Sequence, residues 1–239
     1  MDAPRVEHLR VRRISGAVVL LLIGVVLVFA VIRVSTDFPN LLSGTVPDPA
    51  EFDNRYARFP WLAYAHILPG VVYLVLAPLQ LWRGFRTRHY AWHRRIGRVA
   101  LTAGLIGGVF GIAFGIFLSF GGPIQAAASI VFGSWFVACL LFAYRFIRRG
   151  DPRSHRRWMI RAFAVGLAVG TIRIWVGLFQ GLQLLSFRDS FGIAFWLSFS
   201  MHVIAAEVWL RWRPWPGEGP SMASGIDASI AKAPPTGAS

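Results

Sequence analysis

Six stretches of this chain are apolar for long enough to cross a lipid bilayer, and that removes most folds at once. Spanning a hydrocarbon core of ~30 Å takes about 20 mostly apolar residues in a helix. Residues 14–32, 61–82, 99–119, 124–146, 158–178 and 191–210 meet that length. None alternates apolar and polar residues as a barrel strand does, so the expected fold is all-α, an integral membrane bundle of six transmembrane helices. The regions divide as a basic cytoplasmic segment at 1–13, a first transmembrane helix at 14–34, an extracytoplasmic loop at 35–60, a five-helix transmembrane core at 61–212 and a disordered cytoplasmic tail at 213–239. The first apolar run exceeds the roughly 7–15 residues of a signal-peptide core and lacks a small-x-small cleavage site, so it is expected to be a retained anchor. Pro39, Pro47, Pro49 and Pro60 argue against a long helix in the loop.

Charge gives the direction. The chain carries 25 Lys+Arg against 11 Asp+Glu, a formal net charge of +14, yet only 15% of its residues are charged. Twenty of the 25 basic residues fall in 1–15, 83–98, 145–161 and the tail from 211. Arg33, Arg55, Arg58 and Arg188 fall on the other side, and Arg173 lies within a span. By the positive-inside rule both termini are cytoplasmic, in the bacterial cytoplasmic (inner) membrane. The basic charge thus reports topology and contact with anionic membrane lipid, with Arg94, Arg95, Arg156 and Arg157 as the expected lipid contacts. Nucleic acid is excluded as a partner, because the basic loops are short and carry no recognition motif. The single Cys139 rules out an intramolecular disulfide and a cysteine-pair metal site.

Ionisable groups at membrane depth are costly, so each is a candidate for function. His66, His93, His155 and His202 lie in or at the ends of spans, with Arg173. Helical rise places His66 roughly 7 Å and His202 roughly 16 Å in from the outer side, with His93 and His155 level at the inner boundary. Histidine is a common axial ligand of haem iron, so these four are candidate ligands of a b-type haem paired as His93 with His155 and His66 with His202. Arg173 would then pair with a propionate. This makes the first functional reading a membrane redox protein with a quinone or other redox partner. A small-solute permease with Arg173, Gln80 and His202 along its path is the second. The third is a scaffold binding anionic lipid through its arginine-rich inner loops.

The bland alternatives are a backbone hydrogen bond for His66 and lipid phosphate for His93 and His155. Gln80 is expected to satisfy the carbonyl freed by Pro78. Glu207 is the one acid inside a span, which weakens a proton-coupled mechanism. Hydrolase motifs such as Gly-x-Ser-x-Gly and His-Glu-x-x-His are missing, and no catalytic residue is assigned. Gly107, Gly111 and Gly115 in the third span, and Gly166 and Gly170 in the fifth, have the spacing that lets helices pack closely. His93-Arg94-Arg95 and His155-Arg156-Arg157 stand 62 residues apart in the same orientation, as in a duplicated helical hairpin.

Taken together, His66-x-x-x-Gly70, Pro78-Leu79-Gln80, His93-Arg94-x-x-Gly97 and His155-x-x-Trp158-Met159-x-Arg161 resemble a widespread family of uncharacterised bacterial multi-pass membrane proteins, over roughly residues 61–210. That family usually has glycine where this chain has Ala77. The resemblance implies a multi-pass membrane protein and brings no activity. A looser similarity joins the chain to the haem-binding transmembrane cytochromes of the b561 type. It implies haem held by transmembrane histidines, although the fourth span here has none.

Overall fold

The computed structural model describes residues 3–212, with side chains from residue 13; the tail expected at 213–239 lies outside the described residues. The chain forms α1 (Ala3–Ser43), α2 (Asn54–Arg58), α3 (Pro60–Leu81), α4 (Arg83–Arg88), α5 (Tyr90–Phe117), α6 (Gly122–Arg148), α7 (Pro152–Gly181) and α8 (Phe187–Trp212). Six of these, α1, α3 and α5 to α8, are long and apolar enough to cross a membrane. The expected all-α bundle of six spans is what the protein has. Below, the end carrying residues 44–59 is the loop end, and the end carrying the two His-Arg-Arg elbows is the elbow end.

The loop is shorter than expected. Helix α1 continues through Pro39 to Ser43. Proline withdraws its N–H from the helical ladder and crowds the carbonyl one turn back, but the turn beside it is held from outside. Asp37, one turn after Arg33, is paired with that arginine and accepts a hydrogen bond from Tyr64 Oη of α3 at 2.9 Å.

Helix α7 is the axis of the bundle. It contacts α1, α3, α6 and α8, and 61% of its apolar window is buried, against 6% for α1. Its start is fixed locally. Asp151 caps it by accepting the N–H groups of Arg153 and Ser154, both at 3.0 Å, and Pro152 occupies the first turn.

Glycine decides how closely α3 can approach its neighbours. A Cβ on Gly107 of α5 would stand 3.0 Å from the backbone N of Gly70, and one on Gly104 would stand 2.8 Å from the Tyr73 ring. From the other side, a Cβ on Gly166 of α7 would lie 3.2 Å from the same ring. Tyr73 is therefore sandwiched between two helices at positions where any side chain would push it out; it is 1% exposed. Gly170 does the same for α1, as its Cβ would lie 2.7 Å from the carbonyl oxygen of Leu22. Without a hydrophobic drive between helices in lipid, such close backbone contact is what gains dispersion energy.

Gly107→Ala should therefore force α3 and α5 apart at an overpacking cost of about 1–3 kcal/mol, or about 2–4 °C of unfolding temperature per kcal/mol in a chain of this size. Gly177→Ala, where a Cβ meets nothing within 4 Å, should not lower it. Cys139 is the sole cysteine and is fully buried, so its reaction with a fluorogenic maleimide during heating reads both variants.

Candidate functional site

The close packing around Tyr73 leaves a half-enclosed cavity of about 250 Å³ toward the loop end. Its walls come from α1, α3, α5, α6, α7 and α8, and are mostly glycine, aliphatic and aromatic. The polar groups that reach it include His66, Arg33, Arg55 and Arg173, with Gln125 and Ser129 on α6.

His66 is seated by the glycines of α5. Its Nδ1 is 2.7 Å from the carbonyl oxygen of Gly107. A Cβ on Gly111 would come within 2.7 Å of the ring, so glycine one turn further on makes room for it. A carbonyl only accepts, so Nδ1 is the donor and Nε2 is the nitrogen left for the cavity. The backbone hydrogen bond considered from sequence is present, and it fixes the tautomer rather than consuming both nitrogens.

Three guanidinium groups meet at the loop end, and they are not equivalent. Arg33 is neutralised: it pairs with Asp37 on its own helix and with Asp53 at 2.6 Å. Arg55 donates from Nε to the Phe52 carbonyl at 3.0 Å and from Nη1 to the Leu118 carbonyl at 3.1 Å. Its Nη2 is buried with no partner. The Phe52 and Phe120 rings lie 4.3 and 4.6 Å from its guanidinium carbon. Burial is the main reason its pKa falls to about 10, with Arg33 and Arg173 repelling it and Tyr56 and Asp53 opposing the fall; it stays charged at neutral pH. Arg173 lies over the Phe29 ring at 5.3 Å and is an electrostatic neighbour of Arg55.

The other candidates lie elsewhere. His202 does not line the cavity; its Nε2 is 2.8 Å from Thr171 Oγ1 on α7. The expected pairing of His66 with His202 around one ligand is therefore not made. At the elbow end, His93 and His155 are each the fourth residue of their helices, α5 and α7. They are electrostatic neighbours, and Arg86 faces both. His155 Nδ1 donates to the Ala143 carbonyl at 2.8 Å, while His93 Nδ1 is buried without a partner.

Gln80 differs from expectation. Neither of its buried amide atoms has a hydrogen-bond partner, so it does not serve the carbonyl freed by Pro78. Its amide instead lies against Gly97, where a Cβ would come within 2.9 Å of Oε1. Arg94 and Arg95 are exposed, while Arg156 and Arg157 are half-buried.

The family model described as "Predicted membrane protein (DUF2306)" matches residues 63–210. The chain belongs to this family. No curated protein and no solved structure matches it. The DUF2306 match begins early in α3 and ends near the close of α8. It thus includes His66, Gln80, His93, His155, Arg173 and His202 and leaves out α1 and Arg55.

One ion pair was not anticipated. Arg161 Nε and Nη2 donate to the two Glu207 oxygens at 2.6 and 2.9 Å, a bidentate bridge between α7 and α8. The signal was available: each residue lies three positions in from the elbow end of its span. Among the described residues no group of three or more metal-ligating side chains exists.

Glu207→Leu should leave the Arg161 guanidinium without its counter-charge. Arg161 is 15% and Glu207 36% exposed, so the expected loss falls between surface and buried values, roughly 1–3 kcal/mol. The double variant Arg161→Leu/Glu207→Leu should recover part of that loss, as a double-mutant cycle on thermal unfolding would reveal.

Proposed function

We propose that this DUF2306 protein binds a small, lipid-soluble solute in the cavity walled by α1, α3 and α5 to α8, as the loaded state of a small-solute permease. The observation that carries this reading is the cavity itself, which reaches both His66 and Arg173. A mostly apolar pocket with a few convergent polar groups is the ordinary form of a small-molecule site. At about 250 Å³ it sits just below the ~300–1,000 Å³ of pockets for drug-sized ligands, so a slender molecule suits it and a haem ring does not. Toward the elbow end Tyr73, Leu74 and Gly104 pack beneath it. With the orientation expected from the basic loops, the solute enters from the extracytoplasmic side. Gln80 and His202, expected along the path, do not line this cavity.

A direct test uses the full chain in nanodiscs and 1-aminoanthracene, a small apolar fluorophore. Saturable binding is expected, and Ala30→Trp, which places a large ring in the wall, should abolish it. Fluorescence that rises without saturation, equally in the variant and in empty nanodiscs, would contradict the proposal.

The redox reading is favoured by one observation, at the other end. His93 and His155 are electrostatic neighbours at the elbow end, and the Nδ1 bond of His155 leaves its Nε2 available, the arrangement typical of a ligating histidine. These two imidazoles would hold a b-type haem, which supplies one-electron transfer when bound. Protein purified from haem-replete cells should then show a Soret band that sharpens on reduction with dithionite. His93→Ala and His155→Ala should each remove it; a colourless preparation would end this reading.

A further inference from the structure

The cavity is apolar along its length but electrically unbalanced at one end. Three arginines reach it, and the two carboxylates within reach, Asp37 and Asp53, are both bound to Arg33. Arg55 and Arg173 have no ion-pair partner among the described residues. Arg55 is 8% exposed, and Asp53, the carboxylate that acts on it electrostatically, is bound to Arg33. Two backbone carbonyls hold its Nε and Nη1, and two phenyl rings flank it, so the geometry of the remaining donor, Nη2, is fixed. A buried cation whose donor is left unmade is an unstable element of a fold unless something arrives to meet it. Among the described residues no acid pairs with either guanidinium. An acid group arriving with a ligand would offset the charge of both guanidiniums, which line the cavity, and leave its apolar remainder among the glycines and aromatics.

We propose that Arg55 and Arg173 form an anion site at the loop end of the cavity, so that the solute is an amphiphile with one acid group on an apolar chain. This deepens the solute-binding reading above and rests on it. Two sources offer that chemistry, a free fatty acid and a lipid phosphate ester. Planar guanidinium groups suit the oxygens of either. His66 also reaches the cavity, and with Nδ1 given to the Gly107 carbonyl its bare imidazole acceptor would not favour a carboxylate. The acid therefore stays at the arginines and the chain runs inward.

Decanoate, monodecyl phosphate and 1-decanol share a chain and differ in the head, so they separate the head group from the apolar contribution. In nanodiscs at pH 8, decanoate should displace 1-aminoanthracene at roughly tenfold lower concentration than 1-decanol or better, the advantage of hydrogen bonds to charged groups. Arg55→Gln and Arg173→Gln should each bring that ratio, measured within the variant, toward one, and Arg173→Lys should retain part of it. Decyl phosphate outperforming decanoate would assign the lipid-phosphate source, and the reverse a free fatty acid. Equal potency of decanoate and decanol on the unaltered chain would overturn the anion site even where the dye binds as expected. If the dye does not bind saturably, the solute-binding reading fails first. The anion site is then decided by unfolding temperature through Cys139 reactivity: decanoate should raise it more than decanol in the unaltered chain and not in Arg55→Gln, and equal shifts would refute it.

Discussion

The approach of α3 to α5 and α7 organises this molecule. Backbones come this close only where no Cβ intervenes, and Gly104, Gly107, Gly111 and Gly166 supply that on the helices facing α3. Two consequences follow from the same contact. Tyr73 is locked between α5 and α7, which closes the middle of the bundle. One and two turns away, the Gly107 carbonyl takes the Nδ1 proton of His66, and the missing Cβ of Gly111 admits its ring. The glycines are thus packing devices, and the cavity is what their packing leaves unfilled above Tyr73.

The charges then divide by role. Arg161 with Glu207 ties α7 to α8, and Arg33 with Asp37 and Asp53 ties α1 to the loop. Tyr64 extends that second tie to α3. These are structural closures, each with the carboxylates the cations need. Arg55 and Arg173 stand apart because, among the described residues, neither has an ion-pair partner: Arg55 has aromatic faces and two carbonyls, and Arg173 the Phe29 ring. The histidines divide too: His202 meets the Thr171 hydroxyl through Nε2, whereas His66 and His155 each give Nδ1 to a backbone carbonyl.

The six spans were legible because membrane crossing imposes a length and a composition that no other element needs. So was glycine packing, since four-residue spacing has one geometric meaning on a helix. The extension of α1 past Pro39 was not, because its support comes from Tyr64 on another helix. His66 and Arg173 stood out in the sequence because ionisable groups at membrane depth are rare, and both line the cavity. Arg55 was set aside as one of the outer arginines: its burial depends on how the loop folds over Phe120 and Leu118, which no local pattern encodes. Gln80 was misread for the opposite reason, a nearby proline suggesting a partner that the side chain does not take.

The central claim is that glycine packing holds His66 in one tautomer with Nε2 turned to the cavity. Nitrogen-15 solid-state NMR of histidine-labelled protein in bilayers reads this directly, with His66 assigned by its loss in His66→Asn. At neutral pH the account predicts a neutral ring with its proton on Nδ1 and a bare Nε2. A ring protonated on Nε2 alone, or on both nitrogens, would contradict it.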